Sequence, residues 1–454
     1  MTEGRERPQV YSKHMVGRQT QEHLARFDRM LKEMMGSAEG KPGSIEGVRV
    51  IEVGEANFPS IICAAMLGEL GAEVVKVEPP GGDPARKVTP HGVYTGGVGL
   101  PFLMEARNKY HVILDLEQEA DREKFRILAG QADLVIDGLR PGRMDELGIG
   151  YRQLRELHGG LIYLAISPYG HFTDKAQQEQ NIPDTDLTAQ SASGYPSITG
   201  DPEAPEPFNF PLRAGIWAAS YMSAALGVAG TLTALIYKQR TGKGQMVDVA
   251  TNDAISAWQG FSLVWGFTNE MPRVRVGNFD WCLFPYGYYE AKDGYVTVAA
   301  VSDADFRGLL KILGRWDLED DWRYLFDRLT TDVDILRELE KEIKGEIAKH
   351  TRDELLQKTL QYSAKAARDR LRGRGFPLVV KTLSPAEVLK ERHWEVRGSF
   401  AEAEDPEGRK VRIPGPVPKM SESLPRVKWV RCRLGEDNDQ VFEKYGLMEK
   451  NQKD

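Results

Sequence analysis

Apolar positions along this chain follow two different periods. VRVIEV (48–53), VVKVE (74–78), VILDL (112–116), LVIDG (134–138) and LIYLAIS (161–167) are short runs rich in β-branched residues and predict strands. Between them, 60–70 and 121–129 carry helical spacing, the first closing on Gly71. Strands separated by helices of about ten residues predict βαβ units and a parallel sheet. Ligands of such sheets sit at the carboxyl ends of the strands, where 55–60, 79–86 and 138–143 fall.

The pattern changes past residue 255. GYYEAKDGYVTVAA (287–300) predicts a hairpin turning at 292–294. Charged helices are predicted over 334–350, 351–362 and 366–372, and 376–389 returns to strand and then helix. The expected organisation is a large α/β domain over 44–255 and a smaller α+β domain with its linkers over 256–400. Residues 401–454 return to the large domain, and 1–43 form a charged helical extension. In that extension Leu24, Phe27, Met30, Leu31, Met34 and Met35 share one helical face.

Composition narrows the function classes. A net charge of −7 over 454 residues argues against nucleic acid, whose phosphates need a concentrated basic face. The polar N-terminus has no apolar h-region, and no unbroken apolar run approaches a membrane span of about 18 residues. The most apolar stretch, 214–237, is thick with Ala, Gly, Ser and Thr, the composition of a tightly packed buried helix. Cytoplasm and no membrane partner are expected. Cys63, Cys282 and Cys432 are odd in number and far apart, which fits reduced thiols. The eight histidines show no HxH or HExxH spacing, so no metal site is expected, and no P-loop motif is present. His158 and His171 are assigned no role.

Several separated motifs then occur in a familiar order: LGAEVVKVEPPGGDPAR (70–86), ARNKYHVILDL (106–116), LRPGRMDELGIGY (139–151), TGKGQMVDVATNDA (241–254), SPAEVL (384–389) and LGEDNDQVFEKYGL (434–447). Over about residues 45–447 the chain resembles the family III coenzyme A transferases. The resemblance implies a Rossmann-like parallel-sheet CoA-binding domain and a smaller α+β domain, with two chains interlocked as rings. It also implies that CoA and acyl-CoA are substrates and that no cofactor is bound permanently. An aspartate carboxylate passes CoA onward through acyl-anhydride and thioester intermediates. Carried onto this chain, CoA is expected at Glu55, Ala56, Asn57, Phe58, Arg107, Lys109, Leu114, Arg140 and Arg143.

The chain departs from that family where the chemistry is concentrated. Counting back from TGKGQ, the nucleophile's position holds Ser220, and no Asp or Glu occurs from Pro207 to Val247. Gly138-Leu139 stands where the family often has Asn-Phe, and Glu117 and Glu146 stand where basic residues are common. Both acids are expected to repel CoA phosphates. Asp186 matches a family acid and is expected to cap the helix that follows it. The leading expectation is a nucleophile-lacking subunit of a heteromeric transferase, such as the one that activates benzylsuccinate with succinyl-CoA. A homologous partner chain would supply the aspartate. The alternatives are a homomeric acyl-CoA racemase or isomerase using Asp186, and a non-catalytic scaffold. Phe58, Phe208, Trp217 and Trp281 are candidates for an aromatic-lined acid site.

Overall fold

The computed structural model describes residues 40–178, 186–280, 283–319, 332–368, 377–405 and 407–448, with isolated positions besides. Its strands begin with β1 (Arg49–Gly54), β2 (Glu73–Glu78), the short ribbon β3 (Tyr94–Thr95) and β4 (Val98–Gly99), and β5 (Lys109–Ile113). They continue with β6 (Leu134–Gly138), β7 (Ile162–Ser167) and β8 (Met246–Ala250). Six of these strands form one sheet in the order β5-β2-β1-β6-β7-β8, and every pairing is parallel. The order reverses direction between β1 and β6. The sixth strand lies inside TGKGQMVDVATNDA, where the sequence pattern alone marked no strand: its five residues include Asp248 and carry too weak an alternation.

Both faces of this sheet are covered, which is why its strands read as continuous apolar runs. Ile51, Val53, Val75, Val77, Val112 and Val135 pack with Phe125 and Leu128 of the Glu119–Gly130 helix and with Val441 and Tyr445 of the Asn438–Tyr445 helix. On the opposite face Val50, Val74, Leu134, Ile136, Leu164 and Ile166 meet Ile62, Cys63 and Leu67 of the Phe58–Glu69 helix. Each such side chain, fully buried, contributes about 1.5–3 kcal/mol.

Ala218–Thr241 is long and apolar enough to cross a membrane by composition alone. Its buried face, however, is a row of small residues including Ala219, Ser223, Ala224, Gly227 and Ala234. That row lets it sit close against the sheet. A methyl at Gly227 would lie 3.1 Å from the Cys63 sulfur and 3.3 Å from Leu164. The helix therefore packs one face on the sheet while Leu226, Ile236 and Tyr237 remain exposed, so it is only partly the buried helix its composition suggested. Gly242 closes it in the left-handed conformation (φ 70°).

The chain divides into two compact units. One contains Ser197–Leu212 and Val274–Trp394, and the other contains Lys32–Pro196, Arg213–Arg273 and Glu395–Asp454. The first boundary after the large sheet thus falls at 274 rather than 256, and the smaller unit also takes 197–212. Within the smaller unit β9 (Tyr286–Ala291), β10 (Gly294–Ala299) and β11 (Leu378–Lys381) form an antiparallel sheet in the order β11-β10-β9. Gly294 pairs with Ala291, which leaves Lys292 and Asp293 as the two-residue turn. Helices Asp303–Leu313, Val333–Ile347 and Arg352–Arg368 cover it. The break expected near residue 362 is absent: one helix runs on to Arg368. In the larger unit β12 (Phe400–Glu404) and β13 (Lys410–Pro414) form a separate hairpin. Of the apolar face expected in the N-terminal extension, only Met30 is among the described residues, and it is exposed.

The large sheet is not wholly apolar. Glu52 on β1 accepts from Lys76 on β2 (2.8 Å) and from Lys109 on β5 (2.7 Å), and all three are completely buried. Lys76 also pairs with Asp83 at 2.8 Å, and Lys109 donates to the Ile61 carbonyl. Burial pushes the Glu52 carboxyl up, but the two ammonium groups outweigh it and hold the group below its ordinary value. Burial likewise opposes the Lys76 charge, and Asp83 and Glu52 overcome it, so Lys76 stays protonated. Removing one member strands its partners as buried charges. Lys76→Met is expected to cost about 3–5 kcal/mol, read as a lower urea midpoint with an unchanged m-value.

Candidate functional site

A cleft in the larger unit opens at the carboxyl ends of β1, β2, β5 and β6 and has a volume of about 410 Å³. This is the point where the strand order reverses, the usual ligand position in open parallel sheets. Val53, Val77, Leu114, Leu139 and Leu147 make its apolar wall, and Glu55, Asn57, Asp115, Glu117, Arg140 and Arg143 supply polar groups.

Two glycines let the walls meet. A Cβ on Gly54 would lie 3.2 Å from the Gly138 Cα. One on Gly138 would lie 2.4 Å from the Ser60 hydroxyl and 3.2 Å from the Asn57 Cβ. The glycine found where asparagine is common is therefore imposed by its neighbours. Asn57 is itself fixed: its side-chain Oδ1 accepts from the Ser60 N–H at 3.0 Å and caps the Phe58–Glu69 helix. Its amide donates to Ile166 at 2.8 Å. Ala56 holds φ 52° and donates its N–H to Asp83 at 2.8 Å. Asp83 thus ties the loop after β1 to the buried charges beneath.

Of the residues expected to hold CoA, Glu55, Asn57, Leu114, Arg140 and Arg143 line the cleft. Ala56 and Phe58 flank it, and Phe58 packs on Trp217 with ring centroids 4.5 Å apart. Arg107 and Lys109 do not line it, which corrects the sequence reading. Arg107 is buried between Glu69 and Glu105, and Lys109 is spent on Glu52 and Ile61. Both sit on or beside β5 with their heads turned into protein, and sequence spacing does not register that direction. Asn108 between them adopts φ 58° and joins the C-terminal segment, accepting from Lys428 and donating to Arg426 at 2.7 Å each. Glu78, Asp115 and Pro168 also line the cleft and were not anticipated. Asp115 lies two residues past the end of β5, so the rule of strand carboxyl ends could have found it.

Glu117 and Glu146 behave differently from the expected repulsion. Arg143 bonds both, with Glu146 at 3.0 Å, and Arg140 bonds Glu146 at 2.5 Å. Hydrogen bonds from Arg140 and then Arg143 hold the Glu146 carboxyl below its ordinary value.

Ser220 lies in the first turn of Ala218–Thr241 and is buried. Its N–H donates to Asp186 at 2.9 Å. Gln190 donates to the same carboxylate and accepts from the Ala214 N–H at 2.8 Å. Asp186 therefore caps the long Ala218–Thr241 helix rather than the one it begins. Of the aromatic candidates, Phe208 is exposed in the smaller unit and Trp281 lies outside the described residues. Burial pushes the Cys63 thiol up, and that of Cys432 to about 12, so neither serves as a thiolate. Among the described residues no group of His, Cys, Asp and Glu could hold a metal ion.

A second cluster sits at the ends of β6, β7 and β8. Asp137 accepts from the Tyr163 hydroxyl at 2.7 Å, and His171 lies 3.3 Å from Asp248 and 3.9 Å from Asp137. Burial opposes charge on His171, but the Asp248 hydrogen bond and the two carboxylates outweigh it and raise its pKa.

A doubly covered parallel sheet with a cleft at its reversal point defines an α/β protein of the open parallel-sheet class, whose ligands sit at the carboxyl ends of the strands. The pattern of CoA-transferase family III matches residues 45–438, and the chain belongs to that family. It is 30% identical over 410 residues to succinyl-CoA:mesaconate CoA-transferase of Haloarcula hispanica, covering 89% of this chain and 97% of that one. It is 30% identical over 435 residues to the succinyl-CoA–L-malate CoA-transferase alpha subunit of Chloroflexus aurantiacus, covering 90% and 94%. A CAIB/BAIF family protein from Brucella suis superposes with a TM-score of 0.71 at 25% identity, covering 89% of this chain and all of that one. The chain is a CoA-transferase enzyme: CoA moves between an acyl-CoA and a carboxylic acid, and both CoA species are substrates.

Two outcomes follow from the site's packing and charge. Gly138→Asn is expected to destabilise by about 1–3 kcal/mol through overpacking against Ser60 and Asn57, measured by thermal or urea unfolding. A raised His171 pKa stabilises the folded state fully below the unfolded value of about 6.5 and loses that contribution as pH rises through the folded value. The wild-type unfolding midpoint should therefore fall more steeply above about pH 6.5 than that of His171→Asn.

Proposed function

We propose that this chain is the nucleophile-lacking subunit of a heteromeric family III CoA-transferase, joined to a homologous chain that supplies the catalytic aspartate. The observation that carries this reading is the absence of any carboxylate from Pro207 to Val247, with Ser220 in the nucleophile's place. A serine acyl ester is too unreactive to hand CoA onward in both directions, whereas an aspartyl anhydride and thioester are reactive enough. Asp186 is a poor substitute, because its carboxylate already holds the Ser220 N–H and the Gln190 amide. The same engagement leaves the racemase reading little support.

The donor in this reading is succinyl-CoA and the acceptor a dicarboxylic acid. Support comes from relatives whose names specify succinyl-CoA with mesaconate or L-malate, one of them an alpha subunit. Benzylsuccinate belongs to the same acid class, and the Phe58–Trp217 pair, with Trp217 three residues before Ser220, is the aromatic surface that suits it. The two chains interlock as rings and work in the cytoplasm.

Co-expression with a family III chain that has the aspartate is expected to yield a complex that moves CoA from succinyl-CoA to benzylsuccinate. Alanine at the sister chain's aspartate should reduce transfer to background, while Ser220→Ala in this chain leaves it unchanged. Transfer by this chain purified alone, insensitive to Ser220→Ala, would sink the proposal.

A further inference from the structure

The cleft of the larger unit carries its own counter-charges. Its lining includes four carboxylates, Glu55, Glu78, Asp115 and Glu117, against the two guanidiniums of Arg140 and Arg143. Glu78 is paired from behind with Arg86 at 2.6 Å and lies 2.8 Å from the His111 ring nitrogen. Arg143 is divided between Glu117 and Glu146, and Arg140 faces Glu146. The two arginines a phosphate would use are thus already engaged by carboxylates of the same chain. Arg107 and Lys109, the other two cations expected from the sequence to meet CoA, are buried in ion pairs of their own.

CoA brings a pyrophosphate and a 3′-phosphate, each seeking such cations. To bind here it must displace Glu117 and Glu146 from Arg143 and leave those carboxylates beside its own negative charge. The apolar wall of Val53, Leu114 and Leu139 imposes no such cost on an uncharged adenosine.

We propose that Glu117 and Glu146 are specificity-determining residues that occupy the phosphate-binding arginines from within, so that this subunit's cleft discriminates against the phosphates of CoA. The inference rests on the subunit reading above, in which a sister chain holds the CoA that reacts. Both glutamates are largely exposed, with side chains 66% and 47% accessible, so they can be changed without disturbing the core.

The test is equilibrium binding of CoA and of adenosine to the full chain by titration calorimetry, at low and at physiological salt. Glu117→Gln/Glu146→Gln is expected to bind CoA about tenfold more tightly than wild type. The gain should shrink with added salt, and adenosine affinity should not change. Adding Arg143→Gln to the double variant should remove the gain, and matched thermal midpoints would confirm that all forms are folded. Equal CoA affinity in wild type and double variant would overturn the proposal, as would weaker binding by the double variant or an equal gain for adenosine. Transfer activity by the chain alone would refute the subunit reading and would leave this affinity comparison intact.

Discussion

Glu52, Lys76, Lys109 and Asp83 form a buried charge network on which the geometry of the cleft depends. Placing an acid on the central strand β1 and lysines on β2 and β5 costs desolvation that only complete pairing offsets. The pairing is complete only in one register, with Glu52 beside Lys76 and Lys109 one strand further. Asp83 then carries the constraint outward. It holds Lys76 with one oxygen and the Ala56 and Ala85 N–H groups with the other, so the loops after β1 and β2 are fixed to the sheet. The floor and one rim of the cleft are consequences of this arrangement.

The opposite rim is set by close approach. Gly54 and Gly138 bring β1 and β6 together where Asn57 and Ser60 already fill the space. This makes Gly138 part of the same packing solution as the Asn57 cap. The long Ala218–Thr241 helix obeys a comparable rule, because a face of Ala, Ser and Gly is what allows it to lie against Cys63 and Leu164. Its first turn is held by a carboxylate distant in sequence, Asp186. Ser220 in that turn is thus fixed through its main-chain N–H, whatever its side chain does.

Charge in the cleft shows how context reverses a residue's meaning. Glu117 and Glu146, read along the chain, are isolated acids where a polyanion is expected. Folding places them on Arg143 and Arg140, and the four groups become an internally satisfied cluster. Arg107 and Lys109 undergo the opposite change, from apparent phosphate ligands to buried structural cations.

What the sequence determined by itself is substantial. Apolar runs at strand length and helical spacing between them identify the parallel sheet, and the motif order over about 45–447 points to the family whose pattern matches residues 45–438. The lack of any acid from Pro207 to Val247 is a fact of composition that no folding alters. These features are legible because they depend on local periodicity and residue identity. Only the tertiary structure decided which cations reach the cleft, that Asp186 caps a helix 34 residues away, and that Met246–Ala250 completes the sheet. Those outcomes depend on the direction in which a side chain points and on partners distant in sequence, and neither is encoded in spacing along the chain.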